Sequence, residues 1–200
     1  GIHEAIGRAI ESLYSERLDE FYEILAHHSF QGEDWQRAQK YEGRAGLKAL
    51  SFSAYEEAQG YFEKALESLN KLSRTRDRIL QEIDLRFNMR AALFPLGKHE
   101  EWVEYMRAAE PLAKEVGDKV RLANCYQYLS THLWTRGQHK EAIELCEEAL
   151  GLAESAGDFS VSISTMFHLG VPLLFTGQYE RQVKLHREVA ERLSGPAVFE

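Results

Sequence analysis

Apolar residues recur along most of the chain at the three- and four-residue steps of an amphipathic helix. Tyr126, Leu129 and Leu133 form one such stripe. Helix-favouring residues fill most windows, and proline occurs only four times. Sustained alternation of polar with β-branched or aromatic residues is not found, apart from an apolar tail at 197–199. The pattern therefore predicts an all-α protein.

Two turns recur along the chain with a constant 40-residue period. The first is Gly97–His99, which returns at 137–139 and 177–179, and the second is at 116–118 and returns at 156–158. Two turns in each period imply two helices of about 18 residues, each about 27 Å long. Glycine closes a helix with left-handed backbone, and a following aspartate caps the next one. We therefore expect a right-handed superhelical solenoid of antiparallel helix pairs.

The period degrades before residue 71, where individual helices are predicted at about 3–14, 16–31, 34–50 and 54–70. We interpret the chain as four regions: lead-in helices at 1–33, a helical hairpin at 34–70, about two and a half to three 40-residue repeats at 76–194, and a tail at 195–200. Phe199 follows Phe159 by one full period, so the tail is expected to begin a truncated further repeat. Because the chain starts without methionine, we expect it to be a piece of a longer protein.

Charge and cysteine content exclude several classes of partner. The chain has 24 Lys and Arg against 32 Asp and Glu, a net charge of -8, which disfavours direct binding to nucleic acid or an anionic membrane. No apolar stretch approaches the roughly 20 residues of a membrane span. Cys125 and Cys146 have neither metal-site spacing nor the pattern of a disulfide framework. They are expected to be free core thiols in a cytoplasmic protein, with a disulfide or sensor pair as the alternative.

Candidate catalytic and metal-binding motifs are not found. Gly43, Gly46 and Lys48 do not have the spacing of a phosphate-binding loop, and there is no nucleophile elbow or His-Glu-x-x-His pair. The adjacent His27 and His28 would point about 100 degrees apart on a helix and are expected not to share an ion. The sequence therefore predicts no enzyme, no cofactor and no metal.

The helix pairs resemble the tetratricopeptide repeat (TPR). Its pattern is a glycine two residues before an aromatic residue or histidine and an alanine three residues after it. A large residue and a second alanine follow at steps of four and three. The match is strongest over 54–65 and 137–149. Gly46 and Gly170 match the family's small residue in the first helix, whereas Ser130 and Arg90 depart from it. Because the period here exceeds the usual one of about 34 residues, the chain looks like a longer-helix variant common in bacterial signalling proteins.

Positions 1–70 carry a second resemblance, through segments such as 5–11, 26–28 and 32–35. They look like the junction that follows the ATPase module of large bacterial regulators, which carry a nucleotide-cyclase domain or a LuxR-type DNA-binding helix-turn-helix elsewhere. Any such activity would belong to other parts of a parent protein and not to these residues.

The TPR resemblance implies a concave groove lined by the first helix of each pair. The positions carried over are Phe87, Ala91, Phe94, Asn124, Gln127, Thr131, Trp134, Phe167, Val171 and Phe175. The family's clamp for acidic chaperone tails needs lysine and asparagine at two of these places, and neither stands there. An apolar aromatic groove suits a hydrophobic peptide or helix. The alternative is that long helices bury these aromatics in their own core.

These observations favour a non-catalytic protein-interaction module, a sensor or scaffold segment of a bacterial signalling protein. One rival is a small-molecule receptor that encloses its ligand near Trp134 and Phe167. Another is a structural arm that self-associates through its last helix, where Val183, Leu185, Val189 and Leu193 lie. We further expect Ala142 to be buried against its partner helix and Pro111 and Pro172 to bend theirs.

Overall fold

The structure, a computed structural model, describes residues 1–194 as a succession of helices. They are α1 (Ile2–Leu13), a 3-10 segment (Ser15–Phe21), α2 (Tyr22–Gln31), α3 (Trp35–Ser51), α4 (Tyr55–Asn70), α5 (Arg76–Leu93), α6 (His99–Val116), α7 (Lys119–Thr135), α8 (His139–Ala156), α9 (Phe159–Phe175) and α10 (Tyr179–Leu193). No strand occurs among these residues, which confirms the all-α class. The expected truncated repeat at 195–200, with Phe199, lies outside the described residues.

The prediction of one continuous helix over 16–31 is wrong in its first half. Ser15–Phe21 is a 3-10 segment in which Arg17 leaves helical geometry, with φ -134° and ψ 34°. None of its seven residues is buried, although Leu18 and Phe21 pack against the core cluster that includes Tyr41. A local contact also involves the segment, because the rings of Tyr14 and Phe21 stack with their centroids 4.4 Å apart.

The recurring turns have the left-handed backbone conformation that was predicted from their glycines. The glycines at 97, 117, 137, 157 and 177 all have a positive φ, between 67° and 80°. This conformation is energetically less favourable for residues that have a side chain. The following aspartates cap the next helices: Asp118 accepts a hydrogen bond from the Arg121 amide at 2.9 Å, and Asp158 accepts one from the Val161 amide at 2.8 Å. Turn and cap chemistry thus set where each repeat begins.

The helices group into two compact units, Gly1–Tyr105 and Met106–Glu200. In the first unit, each helix from α1 to α4 packs on the next one along the chain, and α3 also contacts α5. In the second unit, α7 packs on α8, α8 on α9 and α9 on α10, while α7 also contacts α9 directly. Successive helices are joined by short turns and therefore run antiparallel, as expected for helix pairs.

Small residues lie where the paired helices approach each other. Ala142, Cys146 and Ala149 of α8 are fully buried, which confirms the expected burial of Ala142. Its carbonyl accepts a hydrogen bond from Ser130 Oγ at 2.9 Å. The same positions of α4, which are Ala58, Phe62 and Ala65, are equally buried. The helical phase taken from the sequence is therefore right.

Two prolines lie inside helices, Pro111 in α6 and Pro172 in α9. Pro172 is buried, and its carbonyl accepts the Thr176 amide at 3.1 Å. The bends expected at these points stay predictions.

Candidate functional site

An exposed apolar surface runs along α9 in the second unit. Phe167 and Phe175 are each 61% exposed, Leu174 is 46% exposed, and Val171 between them is half-buried. We call these four residues the α9 face; their spacing places them on one side of the helix. The helix carries no Asp, Glu, Lys or Arg. A cluster of this kind offers large side chains to a partner without a charge to desolvate.

Aromatic rings join one end of the α9 face to the neighbouring helices. Phe175 stacks on His139 of α8, with ring centroids 5.2 Å apart and planes 5° from parallel. Trp134, from the end of α7, lies 6.2 Å from Phe175 at an interplanar angle of 15°. The stack fixes the orientation of Phe175 although much of its ring is exposed.

The polar candidates of α7 are mostly used inside the unit. Gln127 and Thr131 are buried. Gln127 Oε1 accepts a hydrogen bond from Thr165 Oγ1 of α9 at 2.9 Å, and Thr131 Oγ1 donates to the Gln127 carbonyl at 3.1 Å. Asn124 is half-buried. These residues lie in or beside the contact between α7 and α9.

Gln127 and Phe167 occupy equivalent positions 40 residues apart, but their surroundings differ. Gln127 is covered by Thr165 of the next helix pair, whereas Phe167, which occupies the same place in its own pair, contacts the rings of His168 and His186 at centroid distances of 6.2 and 6.0 Å. No further helix pair follows within residues 1–194. This difference accounts for the exposure of Phe167.

The α5 candidates belong to the first unit. Phe87 is half-buried, and Ala91 is exposed. Phe94 is 40% exposed and lies in an aromatic cluster, 5.7 Å from the His99 ring and 6.2 Å from the Trp102 ring. The Arg90 guanidinium sits 5.1 Å from the centre of the Phe94 ring. Of the three predicted residues, Phe94 thus belongs to a cation–π cluster with Arg90.

A polar pocket between α2, α3 and α4 was not predicted from the sequence. Its volume is about 360 Å³, and its lining residues are Glu23, Ala26, His27, Phe30, Gln31, Glu42, Tyr61, Lys64 and Glu67. Burial raises the pKa of Glu42 to about 7, and the same effect raises the pKa of Tyr61. Glu42 Oε2 accepts a hydrogen bond from Ser68 Oγ at 2.8 Å. A sequence signal did exist, because Glu42 interrupts the buried stripe that Ala38 and Ala45 define on α3.

Within the described part of the chain, none of the helices is long and apolar enough to cross a membrane.

No family model matches the sequence, and no curated protein matches it. Several solved structures do resemble the fold. The apo form of RapI superposes with a TM-score of 0.76 at 15% identity, over 87% of this chain and 47% of that one. A Rap conjugation gene regulator in complex with the Phr* peptide gives a TM-score of 0.66 at 18% identity, over 79% of this chain and 43% of that one.

A third similar structure is a Signal Transduction ATPase with Numerous Domains (STAND) protein with a tetratricopeptide repeat sensor, from Pyrococcus horikoshii. Its TM-score is 0.67 at 12% identity, over 84% of this chain and 27% of that one. The chain spans about half the length of the two Rap proteins, or less. At such identities the likeness concerns the fold alone. Together with the turns and helix pairs described above, it shows that this chain has the TPR-like helical-repeat fold.

Proposed function

We propose that the chain is a non-catalytic interaction module that binds a hydrophobic peptide or helix on the α9 face, as a sensor or scaffold segment of a larger bacterial signalling protein of the cytoplasm. The observation that carries this proposal is the exposed, uncharged apolar surface of Phe167, Leu174 and Phe175. Apolar patches of this kind on a protein surface are typical of interaction sites.

The residues of the second unit take different roles in this proposal. Phe167, Val171 and Phe175 contact the ligand, and Trp134 holds Phe175 in a fixed orientation. Gln127 and Thr131 keep α7 and α9 in register through their buried hydrogen bonds. Asn124 provides an amide at the edge of the surface. A preformed aromatic stack loses little freedom on binding, which favours affinity.

The α5 residues Phe87, Ala91 and Phe94 are proposed to form the inner face of the first unit in the same way. Two comparisons support a binding role for this fold. One similar Rap protein is in complex with the Phr* peptide, and the repeats of the similar STAND protein are a sensor.

A specific observation also favours a second candidate, a small-molecule receptor in the first unit. The pocket between α2, α3 and α4 holds Glu23, Glu42 and Glu67. Burial disfavours the charged form of Glu42. A cationic ligand such as an amine would stabilise that charged carboxylate by pairing with it, and this ion pair would favour binding. This candidate predicts that an amine ligand loses affinity in the Glu42→Gln variant while the α9 face has no effect on it.

Alanine substitution on the α9 face tests the preferred function. Peptides are first selected from a displayed library on the wild-type protein, and their dissociation constants are then measured by fluorescence polarisation. Truncation of a central aromatic anchor typically costs about 2 kcal/mol, or roughly 30-fold in affinity. We therefore expect Phe167→Ala and Phe175→Ala to weaken binding by roughly that factor.

Phe52→Ala is the matched control, because Phe52 is an exposed phenylalanine of the first unit and lies outside the α9 face. Thermal unfolding of each variant checks that the helices are retained. Equal affinities for wild type and both α9 variants would show that peptides bind elsewhere.

A further inference from the structure

Three histidines from two helices come together in the first unit. His3 lies in the first turn of α1, and His27 and His28 lie near the end of α2. One ring nitrogen of each lies within 4.8 Å of the other two. It is the only group of three or more His, Cys, Asp or Glu side chains with this arrangement in residues 1–194.

The closest pair of nitrogens makes the cluster unusual. His3 Nδ1 and His28 Nδ1 are 2.8 Å apart, so one nitrogen must carry the proton and the other must accept it. The two rings therefore share one proton, and a metal ion that binds both nitrogens would displace it.

We propose that His3, His27 and His28 form a binding site for a divalent transition-metal ion, with Zn²⁺ as the best fit. Imidazole nitrogens suit zinc, whereas calcium and magnesium prefer oxygen ligands. Three histidines and one water complete a tetrahedral zinc site. His27 is exposed, and His3 and His28 are half-buried, so solvent can supply the water.

The distances are compatible with small side-chain movements. Zinc–nitrogen bonds of about 2.0–2.1 Å at tetrahedral angles place ligand nitrogens about 3.3 Å apart. The His3–His28 pair must open by about half an ångström, and the His27 nitrogen, which lies within 4.8 Å of the other two, must approach them by at most about 1.5 Å. The ring centroids of His27 and His28 are 5.3 Å apart. From the sequence, His27 and His28 were expected to point in different directions on α2 and not to share an ion. In the structure His3 of the facing helix lies close to both rings.

Such an ion would join α1 to α2. His27 also lines the polar pocket of the first unit, so the ion would fix one wall of that pocket. The proposal concerns different residues from the α9 face and does not depend on peptide binding.

Zinc titration of tag-free, chelator-treated protein tests the site. Isothermal titration calorimetry is expected to give one zinc ion per chain, and zinc is expected to raise the melting temperature. Cobalt serves as a spectroscopic probe, because tetrahedral coordination gives intense visible absorption. His3→Ala and His28→Ala are each expected to weaken zinc binding at least about tenfold, since each removes a ligand.

Two further variants keep the test decisive. His168→Ala is the matched control: His168 is half-buried on another helix, where its Nδ1 lies 2.8 Å from the Ser164 carbonyl oxygen, and its removal is expected to leave zinc affinity unchanged. His28→Cys retains a zinc ligand and is expected to keep binding, with a sulfur-to-cobalt charge-transfer band. A wild type that binds no zinc, or a His3→Ala/His28→Ala double variant with unchanged affinity, would overturn the proposal.

Discussion

Glu42 shows how a single residue can set the pH dependence of stability. Its side chain is almost fully buried on α3. Ser68, Lys64 and Glu67 of α4 influence it, with Lys64 favouring the charged form and Glu67 opposing it. Glu23 and His27 of α2 line the same pocket. Burial outweighs the favourable interactions and raises the pKa of Glu42 from 4.5 to about 7.

We expect Glu42→Gln to stabilise the protein at pH 8 and to have little effect at pH 5. Because the folded state holds the Glu42 proton more tightly than the unfolded state, stability contributed by the protonated form is present at low pH. It is lost as pH rises from about 4.5 to about 7. Glutamine avoids the buried charge, a gain of up to about 3 kcal/mol at pH 8. Urea unfolding at the two pH values measures the difference.

Glu11 provides a control of opposite sign. Burial acts to raise the pKa of Glu11, but hydrogen bonds from Tyr41 and Arg37 lower it overall. Glu11→Gln is therefore expected to destabilise the protein at pH 8, and the loss should shrink as pH falls through the acidic range. Equal effects of Glu42→Gln at pH 5 and pH 8 would show that Glu42 does not titrate in this way.

At the scale of the element, two helix pairs fit a glycine of one helix against a ring of the other. Gly46 of α3 faces the Phe62 ring of α4, and a Cβ added at Gly46 would overlap that ring. Gly170 faces His186 in the same way. Where serine replaces this glycine, at Ser130, the facing residue is the smaller Cys146, with Oγ and Sγ 3.0 Å apart. The departure of Ser130 from the TPR pattern is thus compensated on the partner helix.

Gly46→Ala is expected to destabilise the first unit by about 1–3 kcal/mol, the usual effect of overpacking. The matched control is Gly60→Ala in α4, where an added Cβ meets nothing within 4 Å. That change should stabilise the protein by up to about 1 kcal/mol through helix propensity. Denaturant unfolding gives both values.

A double-mutant cycle with Phe62→Leu identifies the cause. The smaller side chain should reduce the cost of Gly46→Ala, because it frees space for the new methyl group. If the effects of Gly46→Ala and Phe62→Leu on the free energy of unfolding were additive, the destabilisation would not arise from overlap with the Phe62 ring.

The repeats could be predicted from the sequence because their signals are local. A glycine with positive φ and an aspartate cap each act within one turn of the chain. The recurrence of glycine at 97, 137 and 177 therefore indicates where the helices end. The 3-10 segment at Ser15–Phe21 carried no such signal, because no glycine or proline marks the point at Arg17 where the backbone leaves helical geometry.

The histidine cluster had no comparable signal, and the polar pocket had only the position of Glu42 in the buried stripe of α3. Both assemble from helices before Lys71, where the repeat period fails and no equivalent position can be carried over. His3 meets His28 across 25 residues of chain, a contact that depends on the packing of α1 on α2. The aromatic positions of α9, in contrast, follow directly from the repeat, and their role in binding stays a prediction.

For the molecule as a whole, α10 presents an apolar surface to solvent. Val183 is 54% exposed and Leu193 is 41% exposed. Val189 and Leu185 are half-buried, and Leu185 packs against the core cluster that includes Ile143. A repeat buries its outer side only against a neighbour. Self-association through α10 therefore remains our expectation.

The Val183→Glu/Leu193→Glu double variant is expected to shift the protein toward monomer, because it places charges in the contact. Multi-angle light scattering over a range of concentrations measures the change. Gln36→Glu, at a position of α3 in the first unit, controls for added negative charge. A wild type that is monomeric at every concentration would remove the self-association hypothesis.

The two buried thiols have a practical consequence for measuring ligand binding. Burial raises the pKa of Cys125 to about 12 and that of Cys146 to about 11. Only the thiolate reacts readily with maleimides, so both native cysteines should remain unlabelled at neutral pH. A cysteine introduced by Tyr179→Cys, at an exposed site just beyond Phe175, would then react selectively. A fluorophore at that position would report occupancy of the α9 face without removal of either native cysteine.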